Sequence, residues 1–325
     1  SEKKIGIVLY GFPPGVGATG TAALLNVPKS LENIFASLKD AGYDVGDFPV
    51  GDPDAGERIV EYLKKMSLEE LTCRGVDHVR EKIGEEVTSA LGATVAGTDM
   101  VAERLKEYLT FDEAWGPSEW GPMPFLPSPD LLVTKMEAAW GDLAKYRSGL
   151  STTTSGSAVV VGLQFGNVFI GVQPLLGVEG DPMRLLFERD LTPHPQYAAF
   201  YKWLERDFEA DAVVHCGTHG TSEWLPGSPL GNTGLSWSDI MLSSIPNVYV
   251  YTANNPSESI IAKRRGYGTV VSHNVPPYGR SGLYKQLLEL KAILMEYREG
   301  YSDGAQSSQG DQGSGDQGDR DGRVA

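Results

Sequence analysis

The chain has 325 residues, with 28 Lys and Arg against 43 Asp and Glu, a formal charge of −15; 41% apolar and 22% charged residues are the proportions of a globular protein. The acidic balance excludes the basic footprint of a general nucleic-acid binder and attraction to anionic lipid, and no apolar run approaches the roughly 20 residues that span a bilayer. Two cysteines, Cys73 and Cys216, make no disulfide framework and suit a reducing compartment. The first residue is Ser and no secretory or transit segment precedes the first apolar run, so the chain reads as a piece, or a processed form, of something longer.

Residues 5–10, Ile-Gly-Ile-Val-Leu-Tyr, are predicted to be a buried strand. The glycine- and proline-rich run Gly11–Gly20 is a loop. Leu31, Ile34, Phe35 and Leu38 then mark one helical face, with Pro28 near its start and Gly42 past its end. Together these make a first α/β unit over 1–50. Residues 51–157 read as a helical and Pro-rich connecting region, with amphipathic helices over 57–72 and 99–109 and a surface crossing at 115–129. A second α/β unit is expected over 158–299. Ala158–Leu163 and Val168–Val172 are strands around a turn, and Tyr197, Phe200, Tyr201, Leu204 and Phe208 share one face of a helix. Asp211–His215, 247–251 and 268–272 supply further strands. Asn255, Pro256 and Glu258 form a helix start, and a last helix over 282–298 is expected to bury Leu283, Leu287, Leu290 and Leu294. The run Gln306–Asp319 has no apolar residue to offset ordering, and residues 300–325 are expected to be a disordered acidic tail. The fold class expected is α/β, with two Rossmann-like or flavodoxin-like units of mainly parallel sheet.

The chemistry-bearing residues concentrate in three stretches. A strand ending at His215 leads into a glycine-rich loop holding His219 and Glu223, and in open α/β sheets ligands bind beyond the carboxyl ends of strands. Neutral imidazoles and a carboxylate there can hold a divalent ion or accept a proton. His215 taken alone fits equally a buried histidine bonded to its surroundings, and Cys216 a small apolar residue. The His-x-x-x-His spacing resembles that of zinc proteases, but the preceding strand, the glycines and the lack of a Glu after the first His reject that reading. The second stretch, beyond Val172, carries Gln173, Glu179, Asp181 and Arg184. Asp181 before Pro182 reads as a helix cap, whereas Glu179 is a candidate carboxylate for the same site. The third stretch ends a helix with Lys263, Arg264 and Arg265, which serve either the helix dipole or a carboxylate-binding patch. Gly11–Gly20 lacks the Gly-Lys-Ser/Thr ending of a phosphate loop, so no ATP site is expected in this chain.

Five blocks of this sequence carry a resemblance. Phe165-Gly-Asn-Val-Phe-Ile-Gly-Val-Gln-Pro174, Glu179-Gly-Asp-Pro-Met-Arg-Leu-Leu-Phe187, Gly217-Thr-His-Gly-Thr-Ser-Glu-Trp-Leu-Pro-Gly227, Asn254-Asn-Pro-Ser-Glu258 and Ala262-Lys-Arg-Arg265 resemble the large (H-type) subunit of magnesium chelatase. So do Phe12-Pro-Pro-Gly15 and Gly20-Thr-Ala-Ala-Leu-Leu-Asn26, and the large cobaltochelatase subunit of cobalamin synthesis shares the same blocks. Such subunits are much longer, so the match corresponds to a central part. The resemblance implies a subunit that binds protoporphyrin IX and Mg²⁺ for chlorophyll or bacteriochlorophyll synthesis, while AAA+ partner subunits hydrolyse ATP. It implies His219 and Glu223 as base and ion relay, His215 and Glu179 as supporting metal ligands, and Gln173, Trp224, Lys263, Arg264 and Arg265 as substrate contacts. The location implied is a bacterial cytoplasm or a plastid stroma. The alternatives are cobalt insertion and a non-catalytic tetrapyrrole carrier or sensor.

Overall fold

A computed structural model describes residues 1–10, 19–20, 22, 25–110, 128–146, 152–176, 190–217, 221–231, 233–250, 256–272 and 286–307. Residues 1–275 form one compact unit and 276–325 a second. The first unit is built on a seven-stranded sheet: β1 (Ile5–Leu9), β2 (Thr94–Met100), β3 (Ala158–Phe165), β4 (Val168–Val172), β5 (Ala212–Cys216), β6 (Asn247–Val250) and β7 (Thr269–Val271), in the order β2-β3-β4-β1-β5-β6-β7. Pairs β1–β4, β1–β5, β5–β6 and β6–β7 are parallel, and β2–β3 and β3–β4 are antiparallel. The α/β class with mainly parallel pairing is as expected. The strands assigned to two units nevertheless share one sheet, because β1 lies between β4 and β5 and hydrogen-bonds to both.

β1 shows why it is central. Ile5, Ile7 and Leu9 face one apolar layer and Val8 the other, so its continuous apolar run is buried on both faces. The first layer holds α1 (Val27–Asp40), α2 (Ala55–Met66) and α4 (Val76–Leu91). The second holds α5 (Ala102–Leu109), α6 (Leu131–Trp140), α7 (Pro195–Arg206) and α8 (Trp237–Leu242). The short α3 (Glu69–Thr72) precedes α4, and α9 (Pro256–Gly266) lies between β6 and β7. Asn26 caps α1 by accepting from Lys29 N at 3.0 Å, with Pro28 in the first turn. His194 caps α7 by accepting from Tyr197 N.

The stretch 51–157 is more than a connecting region. It contributes β2, the edge strand, and α4, which packs on it. β2 lacks strand alternation, and Gly97 and Asp99 mask it in the sequence. Arg80 from α4 donates to Val95 O at 3.1 Å and to Gly97 O at 3.0 Å, covering carbonyls of this edge. Asp99 accepts from Val76 N at 2.9 Å and caps α4 in return.

In the second unit, α10 runs Gln286–Ser307, so the helix continues past its expected end and into 300–307, the start of the segment expected to be disordered. Leu287, Leu290 and Leu294 are exposed, contrary to expectation: a helical period marks an apolar stripe without supplying the surface that covers it. Leu283 and the tail beyond 307 lie outside the described residues. No helix among the described residues is long and apolar enough to cross a membrane.

Candidate active site

Strand register brings the sequence blocks to one edge. Leu9 pairs with both Val172 and Cys216, Cys216 pairs with Val250, and Val250 pairs with Val271. Five parallel strands therefore end in one row, and the chain leaves the sheet there into the segments that begin at Tyr10, Gln173, Gly217, residue 251 and Ser272. The chain moves from β1 toward β2–β4 on one side and then to β5–β7 on the other. The β1–β5 junction is thus the switch point where such folds form a crevice. Gly217 begins the loop there with φ of 143°, a conformation that favours glycine, and an added Cβ would stand 3.3 Å from that of Tyr10.

Behind this edge lies a buried polar network. His215, at the end of β5, is 4% exposed. Its Nε2 is 2.8 Å from the Tyr201 hydroxyl and its Nδ1 is 2.8 Å from Asn247 Oδ1. Burial lowers its pKa to about 4, against a smaller upward effect of the Asn247 hydrogen bond, so the ring is neutral near pH 7. Both nitrogens are engaged, so in this arrangement His215 supports the site rather than offering a lone pair to an ion. Gln173, just past β4, is held by its backbone N–H to Leu9 O at 2.8 Å. Its side chain donates to Tyr197 and Tyr201 and accepts from Thr221 Oγ1 at 2.7 Å. Burial raises the pKa of both phenols, and the nearby Glu223 charge adds to the rise, so both stay protonated donors.

Glu223 sits in a single 3₁₀ turn, Ser222–Trp224, and is 4% exposed. Ser222 Oγ donates to its Oε2 at 3.3 Å. The turn is braced from α9: Arg265 donates to Glu223 O at 2.8 Å and Leu225 O at 2.6 Å. Burial lowers the pKa of Arg265, while Asp239 and Glu223 act to raise it. Of the three basic residues at this helix end, only Arg265 points inward, and it holds the loop. Lys263 and Arg264 are exposed in the last turn, where the helix dipole favours them. Trp224 is half-buried and Leu225 fully buried.

Cys216 is buried and its thiol is pushed up to about 12 by that burial, which makes it an inert apolar residue. His219 and Glu179 lie outside the described residues, and among the described residues no three His, Cys, Asp or Glu are grouped to hold a metal ion.

The chain matches the family described as CobN/Magnesium Chelatase over residues 1–312. It belongs to the CobN/magnesium chelatase family. It is 39% identical over 298 residues to the H-type magnesium-chelatase subunit of Chlorobaculum parvum, covering 92% of this chain and 20% of that protein. It is 30% identical over 299 residues to the aerobic cobaltochelatase subunit CobN of Pseudomonas aeruginosa, covering 91% of this chain and 20% of that protein. Among solved structures, the catalytic subunit of cobaltochelatase from Mycobacterium tuberculosis superposes with a TM-score of 0.59 at 26% identity, over 92% of this chain and 22% of that one. The chain thus spans about a fifth of the length of the relatives it matches.

Sequence reasoning found Gln173, His215, Glu223 and Arg265 in this part of the chelatase-family chain but missed Tyr197, Tyr201, Thr221 and Asn247. The two tyrosines read as an apolar helical face. The overlooked signal was that a buried tyrosine hydroxyl needs a partner.

Proposed function

We propose that this chain is part of the porphyrin- and metal-binding subunit of an ATP-dependent chelatase that inserts Mg²⁺ into protoporphyrin IX, with ATP hydrolysed by AAA+ partner subunits. The observation that carries the reading is the buried Glu223 carboxylate at the switch-point edge, in a turn fixed by Arg265 and backed by a fully bonded polar network. Insertion removes two pyrrole N–H protons and strips water from an ion that dehydrates reluctantly. A carboxylate with little access to water, near the ring centre, serves both needs: it accepts a proton and hands over the ion. His219, two residues from Gly217 and two from Thr221 in sequence, joins Glu223 as base or relay, and Glu179 adds a carboxylate. Gln173 and His215 hold the floor of the site, Trp224 covers the macrocycle, and Lys263 and Arg264 offer cations to the substrate's carboxylates. The site belongs in a bacterial cytoplasm or a plastid stroma.

The magnesium branch is favoured by 39% identity to the H-type subunit against 30% to CobN. Cobalt insertion into a corrin precursor is the second reading, favoured by the structural likeness to a cobaltochelatase subunit. In an assay with ATPase subunits, ATP, Mg²⁺ and protoporphyrin IX, Glu223→Gln is expected to abolish insertion while keeping fold and porphyrin affinity. His219→Ala is expected to lower the rate by roughly 10²-fold or more, the scale of a general base. Wild-type insertion by Glu223→Gln removes Glu223 from the mechanism. A large loss of melting temperature with little loss of rate in His219→Ala returns that residue to a packing role.

A further inference from the structure

The heavy-atom distances around His215 determine where each hydrogen goes. Gly266 O can only accept, and the Asn247 amide reaches it at 2.8 Å, so that end of the amide is Nδ2. The other end, Oδ1, is an acceptor and lies 2.8 Å from His215 Nδ1. His215 therefore carries its proton on Nδ1, and Nε2 keeps a lone pair. The Tyr201 hydroxyl, 2.8 Å away, must donate to Nε2. Its oxygen accepts from Gln173 Nε2, whose second hydrogen goes to the Tyr197 oxygen at 3.1 Å. Gln173 Oε1 accepts from Thr221 Oγ1 at 2.7 Å, so Tyr197 O–H donates to Thr221 Oγ1 at 3.0 Å. The chain of bonds is one-directional from the end of α9, through β6, β5, α7 and β4, to the loop. All its side chains are buried.

We propose that Asn247 is a positioning residue for the candidate active site: by imposing the Nδ1–H tautomer on His215, it sets the direction of the hydrogen bonds that anchor Thr221 and, through it, the turn carrying Glu223. The anchoring stands on geometry alone; calling the anchored turn catalytic rests on the function proposed above. With the proton on Nε2 instead, His215 would donate to Tyr201, and the Tyr201 hydrogen would have to leave its present acceptor. The hydroxyls left to take it are those of Tyr197 and Ser222, which pair with Tyr201; Tyr197 also bonds Thr221 Oγ1 and Ser222 follows Thr221 in the turn, so the disturbance reaches the turn. Trp224 N donates to Thr221 O at 2.9 Å, which makes the Trp224 amide a local reporter of the turn.

The test compares Asn247→Leu, which keeps approximate volume and removes the acceptor, with Asn247→Asp, which keeps the acceptor. Nitrogen chemical shifts of the His215 ring report its tautomer, and amide hydrogen exchange reports the turn. The wild type is expected to be protonated on Nδ1. Asn247→Leu is expected to move the proton to Nε2 and to speed Trp224 exchange by about tenfold, the scale of one lost hydrogen bond, while β1 amides keep their protection. Asn247→Asp is expected to lose the bond to Gly266 O but, because Oδ1 still accepts, to keep the proton on Nδ1 and most of the protection at Trp224. An Asn247→Leu protein whose tautomer stays the same, or whose tautomer changes with no change at Trp224, overturns the proposal. If that variant does not fold, Tyr201→Phe removes the next link and is expected to speed Trp224 exchange with His215 still protonated on Nδ1; unchanged exchange overturns the proposal equally. Faster Trp224 exchange with an unchanged insertion rate supports the anchoring and contradicts the catalytic role of Glu223, so the two failures are told apart.

Discussion

At the scale of single residues, the edge of the sheet is governed by the cost of burying polar groups. His215 has its pKa lowered to about 4 by burial, and His194, also buried, is lowered for the same reason. In the unfolded chain both titrate near 6.5. Below that value the unfolded state binds protons that the folded state refuses, so stability is complete above about pH 6.5 and falls as pH drops toward 4. For His215 alone the loss approaches about 3 kcal/mol, at 1.36 kcal/mol per pKa unit. Urea unfolding at pH 7 and pH 4.5 is expected to show this drop, and His215→Gln to show a shallower one. Equal slopes for the two proteins would mean that His215 is not held neutral. Glu223 and Gln173 were legible as polar residues beside apolar strand ends. Asn247 was not, because one polar residue at a strand start has no pattern around it, and its meaning comes from Gly266 and His215, which only the fold brings near.

Among elements, those with a clean period were legible and those decided by tertiary contacts were not. The helix now seen as α1 follows from Leu31, Ile34, Phe35 and Leu38 and from its Asn26 cap. β4 has the expected bounds, β1 ends one residue earlier than expected, and β5 is shifted by one residue at both ends. β2 was missed because Gly97 and Asp99 interrupt any alternation; its existence depends on pairing with β3 and on Arg80 covering its carbonyls. α4 was missed although Val76, Val79, Ile83, Val87 and Leu91 mark a helical face. The apolar stripe of α10 was read correctly as a helix, but a period does not reveal what covers it. Phe35 of α1 is fully buried, stacked on Phe48 at 4.1 Å and edge-on to Phe165 at 5.0 Å. Phe35→Ala leaves a cavity between helix and sheet and is expected to cost about 3–5 kcal/mol in chemical denaturation. A cost under about 1 kcal/mol would show that this layer can collapse to fill the space.

Over the whole molecule, strand order and register convert separate sequence blocks into one place. β1, from the start of the chain, is inserted between strands more than 150 residues later, and this aligns Leu9, Val172, Cys216, Val250 and Val271 in a row. No local pattern announces that insertion, which is why the strands read as two units in sequence and form one sheet in space. The row of strand ends is also why the segments that begin at Tyr10, Gln173, Gly217 and residue 251 leave the sheet along one edge. The central claim is that this edge belongs to a chelatase active site in which Glu223 takes part in metal insertion. The most direct measurement offers the wild-type protein and Glu223→Gln, each with ATPase subunits and ATP, Mg²⁺ with protoporphyrin IX and, separately, Co²⁺ with a corrin precursor, and follows the metalated product. The account predicts magnesium protoporphyrin from the wild type, none from Glu223→Gln, and equal porphyrin binding by both; porphyrin binding without a metalated product under any condition, or equal amounts of metalated product from the wild type and Glu223→Gln, would contradict it, and the cobalt product alone would replace the magnesium reading with the cobalt one.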